Sequence, residues 1–179
     1  MKIVIKTKDR VQKLMDKTYT SIIKKYNLDE YSVHLFVSTQ KDLDDYSIAF
    51  PKCKVILGPP GIAAIDNFIV DYFKEGEIYL YMNDDVSGIY EVVDQKKMKP
   101  VENLKKLLNK LIKTCQDNNL TYGGFYPVCN PFYMYKQKPI RLDLSLVMDP
   151  LSICINNKDV KLTEIKFKKT DGTMFIGES

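Results

Sequence analysis

The run Ile78-Tyr79-Leu80-Tyr81-Met82 is apolar throughout and then breaks without transition into Asn83-Asp84-Asp85. A strand with one wet face alternates apolar and polar residues, so a strand with no polar position is buried on both faces, as in the centre of an α/β sheet. Charged groups are excluded from such a strand, and the acidic pair must therefore sit at its C-terminal end. In open α/β sheets that end of the strands is where ligands bind. Two adjacent carboxylates also repel each other unless positive charge lies near them. A hard divalent cation, with a ligand's phosphates beside it, is the simplest partner for the arrangement. The plain alternative is an ordinary polar turn, which Asn and Asp favour.

Around this strand the pattern is that of an α/β half. Lys2–Thr7 alternates as a short strand, and Asp9 is placed to cap a helix carrying Val11, Leu14, Met15, Thr18, Ile22 and Ile23 at helical spacing. Ser32–Ser38 returns to strand, with Val33, Leu35 and Val37 on one face. Val55-Ile56-Leu57 is another short strand, ended by the turn Gly58-Pro59-Pro60-Gly61. Ile62, Ile65, Phe68, Ile69, Tyr72 and Phe73 mark a helix stopped by Gly76. The order is β-α-β-β-α-β with a mostly parallel sheet. Pro100 opens a long helix with Leu104, Leu107, Leu108, Leu111, Ile112 and Cys115 inward. From Thr121 the chain changes to aromatic strands punctuated by glycine and proline, and Arg141–Ile155 reads as a hairpin turning at Asp149-Pro150. With 179 residues, no repeat and no linker, the expectation is a single domain.

Charge and rare residues narrow the chemistry. Twenty-seven Lys and Arg against 23 Asp and Glu leave a net charge of +4, which suits an acidic ligand or polymer without requiring one. Arginine occurs only at Arg10 and Arg141, so base reading by Arg forks is not expected. The single histidine, His34, lies inside an apolar strand, and Cys53, Cys115, Cys129 and Cys154 form no Cys-x-x-Cys pair. Zinc sites and Ser-His or Cys-His nucleophile systems therefore find no support. Scattered cysteines suit a reducing compartment. With Lys2, Lys6 and Lys8 interrupting the first apolar run and no stretch of membrane-spanning length, a cytoplasmic protein without a membrane partner is expected.

Three strand ends should meet at one sheet edge: Lys6-Thr7-Lys8-Asp9-Arg10, Ser38-Thr39-Gln40 and Asn83-Asp84-Asp85. The Gly58–Gly61 loop and the helix start after it add backbone N–H donors. A metal seat, cationic side chains and an anion-binding helix end make, in outline, a nucleoside-diphosphate site.

In this order of motifs the chain resembles the GT-A glycosyltransferases. The carriers are Thr7-Lys8-Asp9-Arg10 after the first strand, Gly61 and the helical pair Asp66-Asn67, the step Gly76-Glu77, and Asn83-Asp84-Asp85 in the place of an Asp-x-Asp motif. Small size and the segment Gly123-Gly124-Phe125-Tyr126 are most similar to the TET-associated glycosyltransferases of phages and large DNA viruses. The resemblance implies a GT-A-like, Rossmann-type, mostly parallel sheet flanked by helices. It divides the chain into a nucleotide-sugar-binding half (1–95) and an antiparallel, β-rich acceptor half (96–179). It implies that Asp85 binds Mn²⁺ or Mg²⁺ and bridges to the diphosphate, with Asn83 on the ribose or sugar and Asp84 near the sugar. Thr7, Lys8 and Arg10 would lie near the nucleobase and phosphates, Ser38 at the second strand end, and Asp66 and Asn67 facing the nucleotide. Asn83 departs from the motif's usual Asp and lowers the local negative charge.

The activity so implied is metal-dependent transfer of a sugar from a nucleotide-sugar, a UDP-sugar foremost, to a hydroxyl. The acceptor is a hydroxymethylated DNA base or a protein or glycan, and the setting is host-cell cytoplasm or virion. Gly123, Gly124 and Tyr126 are the acceptor-side candidates; a strand kink is the plainer reading of the glycines. An inverting enzyme needs a carboxylate base, and the late candidates are Asp149 and Glu178, with Asp171 between them. Because Glu178 is the penultimate residue, the chain is expected to stop where an acceptor-side helix would begin, as a truncated or reduced form. A nucleotidyltransferase and a non-catalytic nucleic-acid-binding or virion-associated module are the rival readings.

Overall fold

The computed structural model describes residues 1–125, 130–134 and 150–160. Its strands are β1 (Lys2–Lys6), β2 (Val33–Val37), β3 (Lys54–Leu57), β4 (Ile78–Met82), β5 (Tyr90–Val92), β6 (Met98–Pro100), β7 (Tyr122–Gly124) and β8 (Leu151–Ile155). Six of them form one mixed sheet in the order β3-β2-β1-β4-β8-β7, and β5 and β6 pair separately as an antiparallel ribbon. β3, β2, β1 and β4 are parallel neighbours, whereas β8 runs antiparallel between β4 and β7. The α/β class and the mostly parallel first half are as expected. The antiparallel strands of the second half extend the same sheet.

Alternation along the strands sorts the core into two layers. Ile3, Ile5, Val33, Leu35, Val37, Leu80 and Met82 face one side. They pack under α1 (Val11–Leu14), which continues in wider π-helical turns over Met15–Lys24, under α2 (Gln40–Ala49) and under α4 (Leu104–Asp117). Val4, Phe36, Tyr79 and Tyr81 face the other side, against Ile65, Ile69 and Phe73 at α3 (Ile62–Tyr72). His34 shares this second side, edge-on to Tyr72 and beside Phe73, and burial holds its imidazole below the ordinary value. It is a core residue, as its setting in the sequence indicates. Among the described residues no helix is long and apolar enough to cross a membrane.

Three local expectations are corrected. The plan β-α-β-β-α-β lacks α2, yet β2 and β3 pair in parallel and so require a crossover between them. Gln40–Ala49 is mostly polar and buries only Asp42 and Tyr46, so its apolar periodicity is faint. Asp9 does not cap α1: it adopts a left-handed conformation (φ 51°), and its N–H donates to Asp42 Oδ1 at 3.1 Å. Pro100 does not open α4 but pairs with Tyr90 in the β5–β6 ribbon; α4 begins at Leu104, capped by Asn103 Oδ1, which accepts from the Lys106 N–H at 2.8 Å.

One side chain ties the second half of the chain to α3. Asn156 Nδ2 donates to the carbonyls of Val70 and Phe73 at 3.0 Å and of Lys74 at 3.1 Å, filling acceptors that a helix end leaves open. Its own backbone bonds Gly76 and Glu77. Replacing Asn156 by Ala should therefore lower unfolding stability by about 1–3 kcal/mol in urea titrations. Asn156→Asp should cost more, since a carboxylate then faces three carbonyl oxygens.

A second tie fixes the π-helical turns against the β2–β3 side. Glu30 accepts from Lys24 Nζ at 2.6 Å and from the Tyr19 hydroxyl, with Lys52 Nζ at 3.6 Å. These donors, Lys24 first, pull its carboxyl down from 4.5 to about 2. A carboxyl lowered on folding stabilises fully above its unfolded value and is lost as pH falls through the folded one. Glu30→Gln should thus destabilise at pH 7, and the gap to the parent chain should shrink as pH drops from 4.5 towards 2 in melts followed by circular dichroism.

Candidate functional site

The strand order contains a reversal. From β1 the chain steps outward through β2 and β3, then returns to place β4 on the other flank of β1. The crevice lies at the carboxyl ends of β1 and β4, where the segments leaving these strands on one layer face the start of α3 on the other. Thr7 through Arg10 leave β1 there, and Asn83 through Asp85 leave β4. An open cleft of about 550 Å³ occupies the place, lined by Lys6, Thr7, Lys8, Arg10, Ser38, Gly61, Ile62, Ile65, Asn83, Asp84 and Asp85. That volume is within the range of small-molecule sites. The three expected strand ends and the start of α3 do meet.

At its floor Asp84 is buried, with 6% of its surface exposed. Its Oδ2 accepts from Thr7 Oγ1 at 2.7 Å, and its Oδ1 accepts from Arg10 Nη1 at 3.3 Å. Thr7 Oγ1 also lies 2.7 Å from the Tyr46 hydroxyl. A threonine hydroxyl has one hydrogen, so Thr7, donating to Asp84, must accept from Tyr46. Tyr46 in turn accepts from the Arg10 backbone N–H at 3.0 Å. Burial raises the Tyr46 phenol above its ordinary value and keeps it a donor. The result is a one-directional relay from Arg10 through Tyr46 and Thr7 to Asp84.

The turn that bears the carboxylates is pinned from both sides. Thr18 Oγ1, fully buried on the π-helical turns, donates to Asn83 O at 2.7 Å and accepts from the Val86 N–H at 2.8 Å. The Asn83 N–H donates to Pro150 O at 2.9 Å, just ahead of β8. Asp85, by contrast, projects outward, with its side chain 39% exposed. Its Oδ2 accepts from Lys13 Nζ at 2.7 Å, and Arg10 Nη1 stands 4.0 Å away.

The remaining candidates divide. Ser38 lines the cleft and donates weakly to Pro59 O at 3.4 Å, bracing the β3–α3 loop. Lys8 lines it as an exposed cation. Gly61 caps α3 with φ 107°, a conformation that side chains disfavour, and brings the helix start to the wall. Asp66 and Asn67 are not among the lining residues. Asp66 binds Lys6 Nζ through both oxygens, at 2.9 and 2.7 Å, and so holds a lining cation in place. Gly123 and Gly124 lie in β7, beyond β8 from the cleft. A Cβ on Gly123 would meet Cys115 Sγ at 2.5 Å, so the bare backbone there admits α4. Tyr126, Asp149, Asp171 and Glu178 fall outside the described residues.

Whether a divalent ion suits this donor set turns on which carboxylate oxygens are uncommitted. Both Asp84 oxygens are bonded within the chain, whereas the Asp85 side chain is 39% exposed and, among the described residues, is paired with the partly exposed cations Lys13 and Arg10. Among the described residues no cluster of three or more His, Cys, Asp or Glu side chains could cage a metal. A lone accessible carboxylate is a donor set that an ion of the Mg²⁺ kind accepts, since such an ion completes its shell with water and substrate phosphates.

Sequence reasoning missed Tyr46, Asp42, Thr18 and Lys13. For the first two a signal existed: Thr39-Gln40-Lys41-Asp42 is a capping pattern, and Thr39 Oγ1 indeed accepts from the Asp42 N–H at 3.1 Å. Spacing places Thr18 on the inward face, but nothing marks what its hydroxyl bonds, and Lys13 within the same pattern reads as surface.

No protein-family model matches the chain, and no curated protein sequence is significantly similar to it.

Thr18→Val keeps the shape and removes the hydroxyl, leaving the Val86 N–H and Asn83 O unpaired. We expect a loss of about 1–3 kcal/mol in urea unfolding, with hydrogen exchange at the Val86 amide accelerating more than at β1 amides.

Proposed function

We propose that this chain is a glycosyltransferase of GT-A-like design, moving a sugar from a nucleotide-sugar, foremost a UDP-sugar, to a hydroxyl acceptor. The observation that carries the reading is the meeting of Thr7–Arg10, Asn83–Asp85 and the α3 start around one cleft at the strand-order reversal. A diphosphate needs positive groups on several sides. Here Lys6, Lys8 and Arg10 line the cleft together with a helix N-terminus. Ile62, 68% exposed, and Ile65 supply an apolar wall for a base or sugar face.

In this reading the bond from the sugar's anomeric carbon to the diphosphate breaks as the acceptor oxygen bonds to that carbon. Negative charge grows on the departing diphosphate, and Arg10, oriented by Asp84, and Lys8 stabilise it. Asp85 is the residue that would hold Mn²⁺ or Mg²⁺, and such an ion, when bound, supplies Lewis-acid stabilisation of the leaving group. Asn83 hydrogen-bonds a donor hydroxyl as both donor and acceptor. The acceptor's proton goes to a carboxylate, for which Asp149 and Glu178 are the candidates by resemblance. A hydroxymethylated DNA base, a protein or a glycan are the acceptor classes to screen. A nucleotidyltransferase would call for a further carboxylate in the cleft, and among the described residues Asp84 and Asp85 alone line it.

Calorimetric titration with UDP-sugars in the presence of Mn²⁺ tests the reading. The parent chain should bind, Asp85→Ala should lose about tenfold or more of the Mn²⁺-dependent affinity, and Arg10→Ala should weaken nucleotide binding with or without the metal. Equal binding by Asp85→Ala removes the metal from that residue, and no binding by the parent chain removes the donor.

A further inference from the structure

Asp85, the carboxylate given above to the divalent ion, already has a cation of the chain upon it. Lys13 Nζ lies 2.7 Å from Asp85 Oδ2. Lys13 stands on α1, one turn beyond Arg10, and the lysine and the carboxylate are each about two-fifths exposed, at 44% and 39%. Ion pairs this wet are weak, because water competes for both partners and ordering a long lysine costs entropy. Asp84 next door is the opposite case: buried, bonded by Thr7 and tied into the relay through Tyr46. One carboxylate of the pair is thus built into the fold and the other is held by a partner that can leave.

We infer that Lys13 is a resident counter-ion of the metal seat, which a divalent cation must displace from Asp85. A cation seated on Asp85 Oδ2 and an ammonium at hydrogen-bond distance from the same oxygen repel strongly, so the two exclude one another. With no ligand bound, Lys13 and Arg10 answer the mutual repulsion of the two adjacent carboxylates that the sequence places side by side. Metal affinity without nucleotide is thereby held down, and the carboxylate stays ordered until the cation arrives. The inference rests on reading Asp85 as the metal carboxylate.

The test is Mn²⁺ affinity of the full chain without nucleotide, read from the electron paramagnetic resonance signal of free Mn²⁺ at low ionic strength. Lys13→Gln should bind Mn²⁺ roughly five- to tenfold more tightly than the parent chain. Lys13→Arg, which keeps the charge, should restore the parent affinity, and Asp85→Ala should abolish the gain in the Lys13→Gln background. If Lys13→Gln binds no more tightly, or more weakly, while Asp85→Ala still lowers affinity, Lys13 merely braces the turn; the inference then fails and the metal assignment stands. If Asp85→Ala binds as well as the parent chain, the metal assignment fails and the inference with it.

Discussion

Burying Asp84 at the end of a strand that is apolar throughout is the constraint from which the rest of the site follows. An ionised carboxylate cannot be left dry and unpaired, so the fold must bring donors to it. They come from the residues that leave the neighbouring strand, Thr7 and Arg10, and they are oriented in turn by Tyr46 from α2. The carboxylate therefore fixes how the β1 exit, α2 and the β4 exit sit together. The same demand explains why Asp85 must face outward: with the donors at the floor committed to its neighbour, the second carboxylate is left to water and lysine.

Much of this layout was legible from residues alone, for a physical reason. Ile78–Met82 has no polar position, which fits a doubly covered strand with its charges beyond the end. Val33, Leu35 and Val37 alternate with His34 and Phe36, and the two sets do fall on opposite layers. From strands of that kind the convergence of Thr7, Arg10, Ser38 and Asn83–Asp85 follows by topology. What escaped were features whose sequence signal is local and polar. α2 shows little periodicity because it buries Asp42 and Tyr46 and adds only Leu43 and Ala49, partly buried, to the core. Its function is to deliver a hydroxyl and a capping carboxylate, and pattern reading is blind to both.

Residues with helical spacing conceal their purpose in another way. Thr18 was counted among the positions of an inward face, and it is inward, but its hydroxyl holds the two ends of the acidic turn. Asp66, read as facing a nucleotide, bonds Lys6 through both oxygens. Gly123, read as an approach for an acceptor or a kink in a strand, is the bare spot on which Cys115 rests. In each case the residue type was informative about chemistry, but its partner was set by tertiary packing.

The Asn156 clasp on the far end of α3 has a reach that its own surroundings do not suggest. The helix is 11 residues long, so it acts as a rod of about 16 Å whose other tip is Gly61 at the cleft wall. Ile65, Ile69 and the Asp66–Lys6 pair hold the rod along its length, and Asn156 fixes its end. A tilt of a few degrees at that end would move the opposite tip by roughly an ångström. The wall of the cleft is thus aligned in part from a distant anchor, by a residue outside its lining.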